Sequence, residues 1–275
     1  MPIIKPLTFN DRNLINGYFS RYPPIFSECT FSNLFIWGED RPTSFCEIEG
    51  TLIFLIEENV IFGPPIGPLP IDEIVPRLPF DASKAVRTTL PSNMKALDWT
   101  FKTSPENADY VYLVSELKDL PGSKFQKKRQ LVRGCLSRYE CAYEPLDSSN
   151  RDECLDQYRS AGSRHASERH AVERLFKHYN QFDVFGGAIR IEGRIEGFMI
   201  AKALNPSTAV GHAEWTNHKF HGLSELMHHW MAKYSLENFS YLNLEQDLGI
   251  SGLREAKRRF RPDHMIVKWE GWKNY

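Results

Sequence analysis

Long apolar runs are missing from this chain of 275 residues. No stretch of about 18 consecutive apolar residues occurs, so no bilayer-spanning helix is expected. The start, Met1-Pro2-Ile3-Ile4-Lys5, lacks the pattern of a signal peptide. Cysteine is sparse: Cys29, Cys46, Cys135, Cys141 and Cys154 are scattered without C-x-x-C spacing. That excludes a disulfide framework and fits reduced thiols in a cytoplasmic protein. P-loop and Rossmann glycine patterns are absent, and so is G-x-S-x-G. No histidine precedes His165; His165 and His170 lack a set of partner ligands, and the adjacent His228 and His229 point to different helix faces. No metal site is therefore expected. Acids are missing from residues 121–139, where Lys124, Lys127, Lys128, Arg129, Arg133 and Arg138 stand together.

What is present is an ordinary globular composition, 41% hydrophobic and 25% charged. The length suits two domains of about 130 residues each. The chain also repeats itself. Lys5-Pro6-Leu7-Thr8-Phe9-Asn10-Asp11 is echoed by Glu144-Pro145-Leu146-Asp147-Ser148-Ser149-Asn150, and Ile48-Glu49-Gly50 by Ile191-Glu192-Gly193. The offsets, 139 residues (5 to 144) and 143 residues (48 to 191), differ by four. The repeat implies two similar domains in tandem, 1–139 ending in the basic helix and 140–275 carrying the site.

In the second half the patterning predicts a strand at 141–146, helices at 151–161 and 168–182, and a hairpin of strands 185–191 and 195–204. A third strand at 209–216 leads into a helix at 222–236. A strand at 239–244, a helix at 251–260 and a closing strand at 264–269 complete the order β-α-α-β-β-β-α-β-α-β. The first half reads similarly, with a strand at 59–62 running into Gly63-Pro64-Pro65, a strand at 108–114, and a helix at 123–139 whose Phe125, Val132 and Leu136 face inward.

That order resembles the GNAT acyltransferase fold, in tandem: an α/β (α+β) architecture in which each domain is a mixed, mainly antiparallel sheet flanked by helices. Tyr110-Val111-Tyr112, Leu120-Pro121-Gly122-Ser123-Lys124 with Lys127-Lys128-Arg129, Asn243-Leu244-Glu245-Gln246-Asp247-Leu248-Gly249 and Gly252-Leu253-Arg254-Glu255-Ala256-Lys257 sharpen it. Together they resemble the soluble family related to the C-terminal catalytic region of bacterial phosphatidylglycerol lysyltransferases, itself similar to Fem-type ligases. The resemblance implies an aminoacyl-tRNA donor and a site in the second copy. The family pattern His-x-Glu-Lys-x-Asp reads here His212-Ala213-Glu214-Trp215-Thr216-Asn217, with Trp215 for the lysine and Asn217 for the acid.

Four groups of residues are candidates for chemistry. His212 and Glu214 share one strand face, and either is suited to take a proton from an acceptor amine or hydroxyl. Lys219, Gly222 and Ser224 stand where GNAT enzymes hold a coenzyme A pyrophosphate at a helix N-terminus; Gly222 also serves simply to let the chain enter the helix. Asn243, Glu245 and Asp247 alternate at a strand end, with Asn217 as a further polar group, and suit a substrate ammonium or ribose hydroxyl; capping of the next helix is the other role for Asp247. Lys124, Lys127, Lys128 and Arg129, with Arg254 and Lys257, offer contacts to phosphate, from tRNA or from anionic membrane lipid at the periphery. The expected activity is transfer of an aminoacyl group from aminoacyl-tRNA, as co-substrate with no bound cofactor, to a small-molecule or lipid acceptor. An acyl-CoA-dependent N-acyltransferase and a non-catalytic module binding RNA or anionic lipid remain as alternatives.

Overall fold

The computed structural model describes residues 2–57, 59–93, 96–162 and 165–274. In chain order the first half holds β1 (Lys5–Pro6), α1 (Arg12–Arg21), α2 (Phe31–Ile36), β2 (Thr43–Ile48), β3 (Thr51–Ile56), β4 (Val60–Ile66), α3 (Ile71–Ile74), β5 (Lys84–Thr88), β6 (Trp99–Thr103), β7 (Asp109–Leu113), α4 (Val114–Asp119) and α5 (Gln126–Arg138). The second half holds β8 (Cys141–Pro145), α6 (Arg151–Ser160), α7 (Ala166–Lys177), β9 (Phe185–Ile191), β10 (Arg194–Asn205), β11 (Thr208–Thr216), α8 (Leu223–Tyr234), β12 (Tyr241–Asn243), α9 (Ser251–Arg259), β13 (His264–Ile266) and β14 (Trp269–Lys273).

Two sheets of seven strands form, ordered β1-β2-β3-β4-β5-β14-β6 and β13-β7-β12-β11-β10-β9-β8. Laid β1 on β8, they are one topology built twice. The first four strands of each are antiparallel. A parallel pair succeeds them, β4–β5 in one and β11–β12 in the other. An antiparallel partner comes next, β14 in one and β7 in the other. The tandem GNAT-like α/β fold is present as the element order implied.

The sequence echoes reappear as matched geometry. The Thr8 N–H donates to the Asp11 carboxylate at 2.9 Å, and the Asp147 N–H donates to the Asn150 side-chain oxygen at 3.0 Å. Both hairpins turn on a Glu-Gly pair at positive φ: 47° and 74° for Glu49 and Gly50, 50° and 84° for Glu192 and Gly193. Two successive positive-φ residues give the turn whose twist matches antiparallel strands.

The chain divides into two compact units. The first comprises Met1–Tyr110, Gln246–Arg259 and Met265–Tyr275, the second Val111–Glu245 and Phe260–His264. This division runs elsewhere than at the contiguous halves 1–139 and 140–275, because β7 and β14 each join the sheet of the opposite half. The single closing strand expected at 264–269 is two strands in different sheets. The strand expected to stop at Phe62 continues to Ile66. Its pairing to β5 ends at Phe62, so Pro64 and Pro65 break no ladder bond on that side.

Within the first unit, Ile53, Leu55, Ile61, Ile71 and Ala85 belong to one apolar cluster. Charges are enclosed there too. Lys268, wholly buried, bonds Glu28 at 2.7 Å and Asp109 at 2.5 Å, and Arg87 reaches Glu28 at 3.2 Å. Two cations meet two carboxylates, so the net charge of the cluster is zero. Burial pushes the Glu28 carboxyl up, but Lys268 and Arg87 outweigh it and hold it below the usual range. In the second unit, Phe198 on β10 meets Tyr158, Phe176 and Trp215, which fixes α6 and α7 on one sheet face. Helix α8 packs on β9, β10 and β11, with α4 and α5 against it.

Candidate active site

The second sheet opens where two strands part. β11 pairs with β12 only from Thr208–Tyr241 to Val210–Asn243. β12 then ends, while β11 runs on to Thr216. His212 and Glu214 lie on this free stretch. The His212 side chain is fully enclosed, its Nδ1 3.2 Å from Glu245 Oε1. Glu214 keeps 28% side-chain exposure. Its Oε1 accepts from Ser224 Oγ at 3.4 Å, and its Oε2 lies 3.3 Å from His228 Nε2.

The tautomer of His228 is set by its other contact. Nδ1 is 2.8 Å from the Ser224 carbonyl, which can only accept, so Nδ1 carries a hydrogen and Nε2 is the atom turned to Glu214. The His228 ring rests on Phe260, centroids 4.1 Å apart, and the Lys128 ammonium sits 3.6 Å from the Phe260 ring while bonding Glu225 at 3.0 Å. His228, and Phe260 stacked against it, are neighbours of the Glu214 site that sequence reasoning missed. The available signal was the spacing of four between Ser224 and His228 on one helix face.

The other candidates separate. Asn243, fully buried, accepts the Glu245 N–H at 2.8 Å. Glu245 has φ 57°, so strand alternation stops there and the shared face expected for Asn243, Glu245 and Asp247 does not form. Asp247 belongs to the first unit. It takes two bonds from Arg254 at 2.8 and 2.9 Å, one from the Tyr110 hydroxyl at 2.7 Å and one from the Gly249 N–H at 2.8 Å. The Arg254 bonds lead in holding its carboxyl at about 2, against the opposing effect of burial.

Many of the expected phosphate contacts are committed within the protein. Lys124 pairs with Glu116 at 2.8 Å, Lys128 with Glu225, and Arg254 with Asp247. Arg129 donates to the Leu120 and Gly122 carbonyls, and the Lys257 ammonium is 5.8 Å from the Tyr110 ring. Lys127, Arg133 and Arg138 on α5 are exposed. Leu136, expected inside, is 43% exposed. Gly222 enters α8 at φ 90°, and a Cβ there would lie 2.4 Å from the Leu131 carbonyl oxygen. Close packing on α5 therefore explains this glycine without a ligand. Two carboxylates, Glu214 and Glu225, stand at the first turn of α8. Thiol chemistry is disfavoured: burial pushes Cys135 and Cys154 up to about 12.

A cleft of about 1030 Å³ lies at the end of β11. Its lining includes Gln157, Arg194, Glu196, Trp215, Asn217 and Lys219. The Asn217 amide donates to Glu196 Oε2 at 2.6 Å, and the Asn217 backbone N–H donates to the Glu196 carbonyl at 2.8 Å. The Lys219 backbone N–H bonds the Asn217 side-chain oxygen at 3.1 Å. At 217, where the resemblance implied an acid, Asn217 meets a carboxylate from the neighbouring strand. Glu196 was missed in the sequence because it is one acid in the apolar run Ile195–Ile200.

The family model described as "Phosphatidylglycerol lysyltransferase, C-terminal" matches residues 19–269. No curated protein matches the sequence significantly. Among solved structures, a conserved protein of unknown function from Bacteroides thetaiotaomicron is 25% identical, with TM-score 0.90 and full coverage of both chains. The L-PGS of Bacillus licheniformis is 13% identical with TM-score 0.67, covering 96% of this chain and 93% of that one. FemX is 10% identical with TM-score 0.63, covering 99% and 97%. The last two are likenesses of fold.

Proposed function

This chain belongs to the phosphatidylglycerol lysyltransferase C-terminal family, and from that premise we propose that it moves an aminoacyl group from aminoacyl-tRNA to an acceptor hydroxyl or amine. The observation that carries the reading is Glu214, a carboxylate bonded by the Ser224 hydroxyl at the parting of β11 and β12, yet open enough to be reached. His212 is enclosed and suits a positioning role through Glu245.

In the reaction, Glu214 takes the proton of the acceptor as its oxygen or nitrogen attacks the ester carbonyl of the donor. Backbone N–H groups of β11 beyond Val210 stabilise the oxyanion of the tetrahedral intermediate. Collapse breaks the bond to the tRNA ribose oxygen, and Glu214 returns the proton to that leaving group. Lys127, Arg133 and Arg138 supply exposed positive charge for tRNA phosphates or an anionic lipid surface. Glu214 at the start of α8 repels a pyrophosphate, which favours this reading over an acyl-CoA donor.

The test uses tRNA charged with labelled amino acids and a pool of amine and hydroxyl acceptors. Label leaves tRNA for an acceptor with the native protein, and Glu214→Gln slows transfer by about 10²–10⁴-fold at an unchanged unfolding midpoint. Equal turnover in the variant removes Glu214 from the mechanism. Failure of the native protein to discharge any charged tRNA overturns the donor assignment.

A further inference from the structure

The cleft at the end of β11 carries a feature that the transfer reaction does not use. Glu196 is 7% exposed and lines the cleft, and its carboxylate is bonded by the Asn217 amide. Among the described residues no cation pairs with it. A carboxylate this enclosed is costly unless a positive charge meets it. Asn217 holds the carboxylate in place by one oxygen and by the backbone bond between the two residues. Arg194 and Lys219 line the same cleft, Arg194 lying 3.4 Å from the Gln157 side-chain oxygen. Trp215 contributes an apolar wall.

We propose that this cleft binds a small molecule through a primary ammonium group, received by the Glu196 carboxylate. An ammonium brings three donors and the missing positive charge. Arg194 and Lys219 disfavour a second cation and attract an anionic group on the same molecule. The volume suits a ligand of metabolite size. The site is distinct from Glu214. Trp215 and Glu214 are consecutive on a strand and point to opposite faces; Trp215 meets Phe198, while Glu214 meets α8.

The ammonium can come from an amino acid or from an amine headgroup, and calorimetric titration of the full chain distinguishes them. The probes are alaninamide, N-acetylalaninamide, phosphoethanolamine and 2-hydroxyethyl phosphate, the second and fourth lacking the ammonium. The expected result is binding of an amine probe, none of its amine-free counterpart, and affinity about tenfold or more weaker in Glu196→Gln. Glu214→Gln binds as the native protein does. Tighter alaninamide binding assigns the site to an amino acid, and tighter phosphoethanolamine binding to a phosphorylated amine. Equal binding of amine and amine-free probes overturns the proposal, and this comparison on native protein stands even where Glu196→Gln does not fold. Absence of binding by either amine at millimolar concentration, or undiminished binding in Glu196→Gln, overturns it as well.

Discussion

β4 and β11 hold the same place in their sheets, but they lead into different chain. After β11 the chain passes Gly222 into the twelve-residue α8. After β4 it passes Pro68 and Pro70 into the four-residue α3, with Pro64 and Pro65 already in the strand itself. Prolines offer no N–H, and one helical turn presents little dipole. β11 carries His212 and Glu214 beyond its pairing to β12; β4 is Val-Ile-Phe-Gly-Pro-Pro-Ile. Duplication thus supplied a parallel pair in each sheet, and β11 carries polar side chains beyond its pairing where β4 itself carries none. Ionic groups divide in the same way. The Lys268 cluster in the first unit is closed and balanced, whereas Glu214 and Glu196 in the second retain a side toward solvent or cleft.

If that contrast is right, charges in the first unit govern stability. Lys268→Met strands Glu28 and Asp109 and should lower the unfolding free energy by about 3–5 kcal/mol in urea titration. A loss below about 1 kcal/mol would break the comparison. Gly222→Ala comes next, at about 2–3 kcal/mol, because φ 90° and the Leu131 carbonyl both oppose a Cβ. Gly63, at φ 78° on β4, meets nothing within 4 Å, so Gly63→Ala should cost only about 1 kcal/mol. Equal losses at the two glycines would erase the packing difference between the copies. Asp247 sharpens the point through pH. Its folded pKa, about 2, lies below its ordinary value of 3.8. The stabilisation is therefore complete above about pH 5 and fades as pH falls through 4 toward 2, by about 2 kcal/mol in all. Asp247→Asn should flatten that part of the stability profile measured against pH.

Much of the fold was legible because it rests on local pattern. The Glu-Gly turns, the Thr8 and Asp147 turns and the apolar periodicity of β9 to α8 each arise within a few residues. The strand at 264–269 misled because its apolar residues are continuous, while sheet membership is decided by distant partners. Glu214 was legible from alternation on β11. Asp247 was visible as polar, but Arg254, seven residues on, decides its role. The basic helix looked unbalanced because its neutralising acids, Glu116 and Glu225, come from other elements. Lys268 and Glu196 each stand as one charge beside a short apolar run, and a sequence does not show what such a charge will face.

The exchanged strands also set a timetable for synthesis. β14 lies between β5 and β6, so the bonds it makes to both must wait until residue 273 has been made. Lys268, which neutralises Glu28 and Asp109, arrives equally late. A nascent chain cannot finish its first sheet before β14 has been made, and a product terminated ahead of Lys268 carries an open sheet edge and two buried acids without their lysine. Closure of the first sheet and neutralisation of its acids become one event, which leaves products truncated ahead of β14 recognisable to quality control by their exposed edges.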